Sequence, residues 1–102
     1  MVRNKKDITD IIAKNDAQIA DFGAKSLGLF GSFVRDQATI ESDIDLIVEF
    51  LPDQKNYENF IGLVYFLEDV FDRKVELITK ASLSKYIKPH VDKTVEYVSI
   101  GV

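Results

Sequence analysis

The segment Asp43-Ile44-Asp45-Leu46-Ile47-Val48-Glu49-Phe50 alternates so regularly that it must be accommodated as a strand. Successive side chains of a strand point to opposite faces. Ile44, Leu46, Val48 and Phe50 therefore share a face that can pack on helices, while Asp43, Asp45 and Glu49 share the other with Ile47. Pro52 closes the element, since it has no N–H to continue a ladder. Any fold built on this strand has an apolar side to cover and an acidic side to leave open.

The remaining periodicities supply the cover. Ile8, Ile11, Ile12 and Ile19 recur at helical spacing and predict a first helix, ended at Phe22-Gly23-Ala24 with Gly23 as C-cap. The short apolar run Ser26-Leu27-Gly28-Leu29-Phe30 predicts a buried strand, stopped by Gly31-Ser32. A helical turn follows at Phe33-Val34-Arg35, then a polar loop from Asp36 to Ser42. Tyr57, Phe60, Ile61, Val64, Leu67 and Phe71, spaced in threes and fours, predict a longer amphipathic helix. Arg73 to Thr79 reads as another strand, in which Val75 and Leu77 alternate with Glu76 and Ile78. Leu83, Tyr86, Ile87, Val91, Val95 and Val98 predict helical structure, divided into two short helices with Pro89 opening the second. The sum is an α/β (α+β) layer on a small sheet. With 102 residues, no repeat and no linker-like tract, residues 1–102 are expected to form one domain.

Composition narrows the function. No apolar run approaches the roughly 18–20 residues needed to span a bilayer, and no apolar signal core follows the basic N-terminus, so no membrane association and a cytoplasmic location are expected. The chain has no cysteine, which excludes disulfides, zinc–thiolate sites and cysteine catalysis. Its net charge of −4 argues against direct nucleic-acid binding, which usually brings a basic patch. An acidic balance does not hinder nucleotide binding through a metal, because the metal supplies the positive charge.

Asp43 and Asp45 stand two residues apart on one face of a strand, roughly 6.6–6.8 Å along the chain, and can converge on one hard cation. Mg²⁺ commonly takes one or two carboxylates together with substrate phosphates. Taken alone, the pair suits equally well a solvated strand end whose charges prevent edge pairing. Gly31-Ser32 follows a buried strand and precedes a helical turn. There a glycine lets the backbone approach a phosphate to which the serine hydroxyl and turn amides donate, although most Gly-Ser pairs after strands are only turns.

In combination these features resemble the nucleotidyltransferase superfamily that includes polymerase β. The resemblance rests on Gly31-Ser32, a nine-residue spacer, and Ser42-Asp43-Ile44-Asp45-Leu46. More narrowly, Leu29-Phe30-Gly31-Ser32-Phe33-Val34-Arg35, Ser42 through Phe50, Lys74-Val75-Glu76-Leu77-Ile78-Thr79 and Leu83 through Val98 look like the minimal nucleotidyltransferases of prokaryotes, of the MntA antitoxin type found in HEPN/MNT pairs. That resemblance covers nearly the whole chain. It implies the polymerase β-like fold, with a small mixed sheet of about three strands flanked by about four to five helices.

The resemblance also implies roles. Asp43, Asp45 and Glu76 become the catalytic and metal-binding carboxylates, for Mg²⁺ with Mn²⁺ as the substitute ion. Gly31, Ser32 and Arg35 become the nucleotide-binding set. The implied reaction transfers a nucleoside monophosphate, AMP from ATP, to a hydroxyl of a protein acceptor. The implied acceptor is a helical partner of HEPN type, and either homo- or hetero-oligomers are compatible with that. Two positions depart from the pattern: Glu76 stands where aspartate is more common, and Asp36 follows Arg35 where glycine is frequent. The first leaves an alternative, a catalytically weak or inactive antitoxin that neutralises a HEPN-like ribonuclease by contact. Arg35 has a plain alternative as well, a surface salt bridge. Glu49, two pleats beyond Asp45, is expected to be solvated. His90 is assigned no role, and Tyr57, Phe60 and Phe66 are expected to be core or partner-facing.

Overall fold

A computed structural model describes residues 2–35, 37–39, 41–82 and 95–100. Its elements in chain order are α1 (Lys5–Lys14), α2 (Asp16–Asp21), β1 (Ala24–Phe30), β2 (Ile44–Phe50), α3 (Tyr57–Phe71), β3 (Val75–Thr79) and β4 (Glu96–Ser99). The strands form one mixed sheet in the order β3-β2-β1-β4. β2 pairs antiparallel with β1 and parallel with β3, while β4 runs antiparallel on the far side of β1.

β2 is buried as its alternation requires. Ile44, Leu46 and Val48 are fully enclosed, and they join Leu27, Leu29, Val75 and Leu77 in the face covered by the helices. The helices contribute Ile8, Ile12, Ile19, Leu63, Leu67 and Phe71 to the same core. On the opposite face Ile47 is also buried, beneath Phe30, Ile78 and Val95. The acidic side of the sheet is therefore not uniformly polar: an apolar patch adjoins the carboxylates.

The single N-terminal helix expected from the isoleucine spacing is two helices. Asn4 starts α1 by accepting from the Asp7 amide at 3.0 Å. Asn15 ends it, because its side-chain amide donates to the Ile11 carbonyl at 2.8 Å and so competes with continuation of the helix. Ile19 on α2 still reaches the core, so the apolar period survives the break. Gly23 follows α2 with φ +84°, the left-handed conformation expected of the C-cap glycine.

α3 takes the expected span, capped by Asn56 accepting from the Asn59 amide at 2.8 Å. Its buried stripe is Leu63, Leu67 and Phe71, with Phe60 and Phe66 packed partly against it and Tyr57 exposed. Asp72 closes the helix in the left-handed region, φ 51°. β3 consequently begins at Val75 rather than Arg73, and the Arg73 side chain turns elsewhere.

The helical expectation fails at Val95 and Val98, which flank and occupy β4 and make the sheet four-stranded rather than about three-stranded. A spacing of three and four imitates a helix there. Val95-Glu96-Tyr97-Val98-Ser99 is nonetheless rich in β-branched and aromatic residues. It finds a free edge on β1, with Tyr97 opposite Gly28, whose missing side chain leaves room for the ring. The helices expected within residues 83–94, with Pro89 and His90, lie outside the described residues.

Candidate active site

The strand register sets the site. Asp45 faces Phe30 on β1 and Glu76 on β3, so one row across the sheet reads Phe30, Asp45, Glu76. Neighbouring strands lie about 4.8 Å apart, which holds the Asp45 and Glu76 side chains side by side on the open face. Asp43 is just ahead of β2, and Glu76 is exposed on β3. Asp45 is half-buried and shows the consequence of the crowding: its carboxyl is pushed up to about 6, first by burial, then by the charge of Glu76 and a hydrogen bond with it, then by Asp43. Arg35 acts in the opposite direction on the same carboxyl. The three carboxylates and Arg35 thus share one electrostatic neighbourhood.

Gly31 forms the floor beside Asp45. Its φ of +77° is left-handed, and a Cβ there would collide with the Asp45 carboxylate. Only glycine meets both conditions without strain. The chain then makes one helical turn, in which the Arg35 amide donates to the Gly31 carbonyl at 3.2 Å and the Gln37 amide to the Ser32 carbonyl at 2.8 Å. Phe33 is buried and pins the turn to the core, while Ser32, one residue beyond Gly31, remains partly accessible. The exposed Arg35 donates to the Gln37 side chain at 3.3 Å, and among the described residues it makes no salt bridge. The alternative, a surface salt bridge, is thus not seen among them.

Hard oxygen donors and no softer ligand make this set suited to a magnesium-like cation. The fit rests on these donors and on the placement of Asp45 and Glu76 side by side across the strand pair, where a cation would relieve their crowding. Among the described residues, no group of three or more such side chains already stands at metal-ligating spacing. Glu49 takes no part: it pairs with Lys80 at 3.5 Å and Lys25 at 4.0 Å at the far end of β2, and also lies 3.5 Å from the Ser26 hydroxyl. A cavity of about 470 Å³ adjoins Asp43 but not Asp45 or Glu76, opening instead between Val2, Ile11, Glu41 and the 70–74 segment. It lies to one side of the carboxylate row rather than over it.

One residue escaped the sequence reading. Arg73 donates from Nη1 to the carbonyls of Thr39 and Ser42, at 2.8 and 2.9 Å, and from Nη2 to the carbonyl of Val2, at 2.9 Å. Its guanidinium also lies 5.1 Å from the centre of the Phe33 ring. An isolated arginine after a helix gives no local signal of such long-range contacts; its position suggests only a charge near a helix C-terminus.

The nucleotidyltransferase domain family matches residues 12–100. A Methanocaldococcus jannaschii protein named as a putative protein adenylyltransferase is 37% identical over 95% of this chain and 100% of its own. The protein adenylyltransferase MntA of Thermococcus cleftensis is 33% identical over 91% of this chain and 94% of its own. Among solved structures, a complex of a tri-AMPylated Shewanella oneidensis HEPN toxin with an MNT antitoxin aligns with a TM-score of 0.55 at 21% identity, covering 83% of this chain and 69% of that one, a likeness of fold. A glycine-floored turn, a paired aspartate strand and a third carboxylate on its parallel neighbour, within a match that spans most of the chain, mean that this chain belongs to the nucleotidyltransferase domain family.

Proposed function

We propose that this protein transfers AMP from ATP to a side-chain hydroxyl of a protein partner, a helical toxin of HEPN type, using Mg²⁺. The observation that carries this reading is the row of Asp45 and Glu76 on adjacent parallel strands, with Asp43 near enough for its charge to help raise the Asp45 pKa. The relatives' names support adenylyl transfer, and the HEPN toxin complex supports the class of acceptor.

The reaction forms a bond between the acceptor oxygen and the α-phosphorus, and breaks the bond from that phosphorus to the leaving pyrophosphate. Asp43, Asp45 and Glu76 would hold the cation, which would supply positive charge to the phosphate oxygens and to the attacking hydroxyl. Gly31 lets the backbone approach the phosphates, and Ser32 donates to them. Arg35, which is exposed and makes no salt bridge among the described residues, can fold its fork onto the triphosphate. Glu76 is exposed on β3, and its carboxylate can take the proton that the acceptor hydroxyl releases.

The substitution of glutamate for the commoner aspartate at position 76 favours a second reading, in which transfer is weak and the domain neutralises its partner by contact. α-Phosphate-labelled ATP with Mg²⁺ in lysate of the source cells separates the two. A labelled protein band with wild type and none with Asp43→Asn supports transfer and identifies the acceptor. No band, with both proteins capturing the same partner, supports neutralisation by contact.

A further inference from the structure

We propose that Arg73 is the positioning residue of this site, holding the phosphate-binding turn and the aspartate strand in one fixed relation. The inference rests on the nucleotide-binding role given above to those two segments.

The Gly31-Ser32 turn and Asp43 are separated by a polar loop in which Gln37, Thr39 and Glu41 are exposed. Thr39 and Ser42 close part of that loop as a turn: the Thr39 amide donates to Ser42 Oγ at 2.8 Å, and the Ser42 amide to the Thr39 carbonyl at 3.1 Å. Both carbonyls of that turn then accept from one nitrogen of Arg73. The Ser42 carbonyl belongs to the peptide that leads into Asp43, so its orientation governs where the Asp43 side chain starts. The other side of the guanidinium reaches Phe33, the residue after Ser32. The adjoining Lys74 carbonyl accepts from the Ile44 amide at 3.0 Å, fixing the chain immediately after Asp43. A single side chain at the head of β3 thereby spans the N-terminus, the turn and the loop.

Two further observations separate positioning from a direct electrostatic role. Arg73 makes no salt bridge among the described residues; its donors go to three carbonyls instead. Arg35, and not Arg73, is the arginine that acts on Asp45 electrostatically. Arg73 therefore works through geometry. Its planar fork is what permits donation in two directions while one face covers a ring; a lysine ammonium lacks that shape.

The test compares wild type, Arg73→Lys and Arg73→Met by hydrogen exchange and by Mn²⁺ binding in the presence of a non-hydrolysable ATP analogue, followed by electron paramagnetic resonance below the melting temperature of each. Exchange should quicken at residues 37–44 in Arg73→Met while the α3 and β1 amides keep their protection. Affinity for the Mn²⁺–nucleotide pair should fall ~10- to ~100-fold, as for other residues that orient metal ligands, with Arg73→Lys in between. A folded Arg73→Met protein with wild-type exchange in the loop, or with wild-type affinity, overturns the inference. If Arg73→Met does not fold, Arg73→Lys carries the same comparison. Wild type that binds no Mn²⁺–nucleotide pair would refute the proposed function, and loop exchange would still decide whether Arg73 holds these segments.

Discussion

Glu76 stands directly across from Asp45 on the neighbouring parallel strand, and its charge is the largest influence on that carboxyl after burial. Two acids so placed repel when both are ionised and share a hydrogen bond when one is protonated. The strain has a sign and can be measured.

Asp45 binds its proton more tightly in the folded chain, about 6 against the ordinary 3.8, so the contribution of this group to stability is present below pH ~4 and lost as pH rises through about 6. Asp45→Asn should therefore stabilise the metal-free protein at pH 7.5 and change it little at pH 4. Allowing for solvent screening of a half-buried group, the gain at pH 7.5 is roughly 1 kcal/mol. Thermal melts in EDTA at the two pH values decide this. A variant no more stable than wild type at pH 7.5 would contradict the crowding.

A cation should reverse the same penalty. ATP with Mg²⁺ at ~100 times the dissociation constant adds roughly 2.7 kcal/mol to the stability of a protein that binds only when folded. Wild type should thus melt several degrees higher with the pair than without, and Asp43→Asn should show little of that rise. Equal shifts for both proteins would remove Asp43 from the cation site.

Gly31→Ala adds a Cβ to a left-handed residue and drives it into the Asp45 carboxylate. The backbone alone costs roughly 1–2 kcal/mol, and the collision adds to it. Urea denaturation should show a loss of at least that size, together with loss of the ATP-dependent melting shift. An alanine variant of wild-type stability would mean that the turn adopts another conformation.

Asp72 offers the opposite case. It closes α3 in the left-handed region with an exposed side chain, where glycine carries no Cβ penalty. Asp72→Gly should gain up to about 1 kcal/mol with nucleotide binding unchanged. A destabilised variant in urea would show that the Asp72 side chain supports the cap.

The strands and carboxylates were legible because their signals are local. Alternation in 43–50 is a property of eight consecutive residues, and it revealed the buried face of β2 and its acidic face, just as alternation in β3 revealed the outward direction of Glu76. The break at Asn15 was not legible, since the spacing of the isoleucines continues across it and only a side-chain hydrogen bond to Ile11 interrupts the helix. β4 was missed because a strand at that place is selected by the open edge of β1 and the space above Gly28, neither of which is encoded near Val95. Arg73 was missed for the same reason at greater range: its acceptors are at positions 2, 39 and 42.

Substitution of Glu76 tests the proposed transfer against neutralisation by contact. Its longer side chain carries the carboxylate one methylene further from β3 than an aspartate would, into the group it crowds on Asp45. Glu76→Asp should draw that carboxylate back, relax the pair and leave more room for a cation between them. If the protein is a transferase limited by this residue, labelling of the partner should rise, by about tenfold for a small correction of geometry at the reacting centre. Glu76→Gln should lower it by removing a charge from the cation site. If the protein acts by contact, neither change alters neutralisation of the partner's activity, and Glu76→Asp produces no label. Parallel assays of label and of partner inhibition on the three proteins therefore assign Glu76 to one role: inhibition that follows label marks an enzyme, and inhibition indifferent to it marks a binding module.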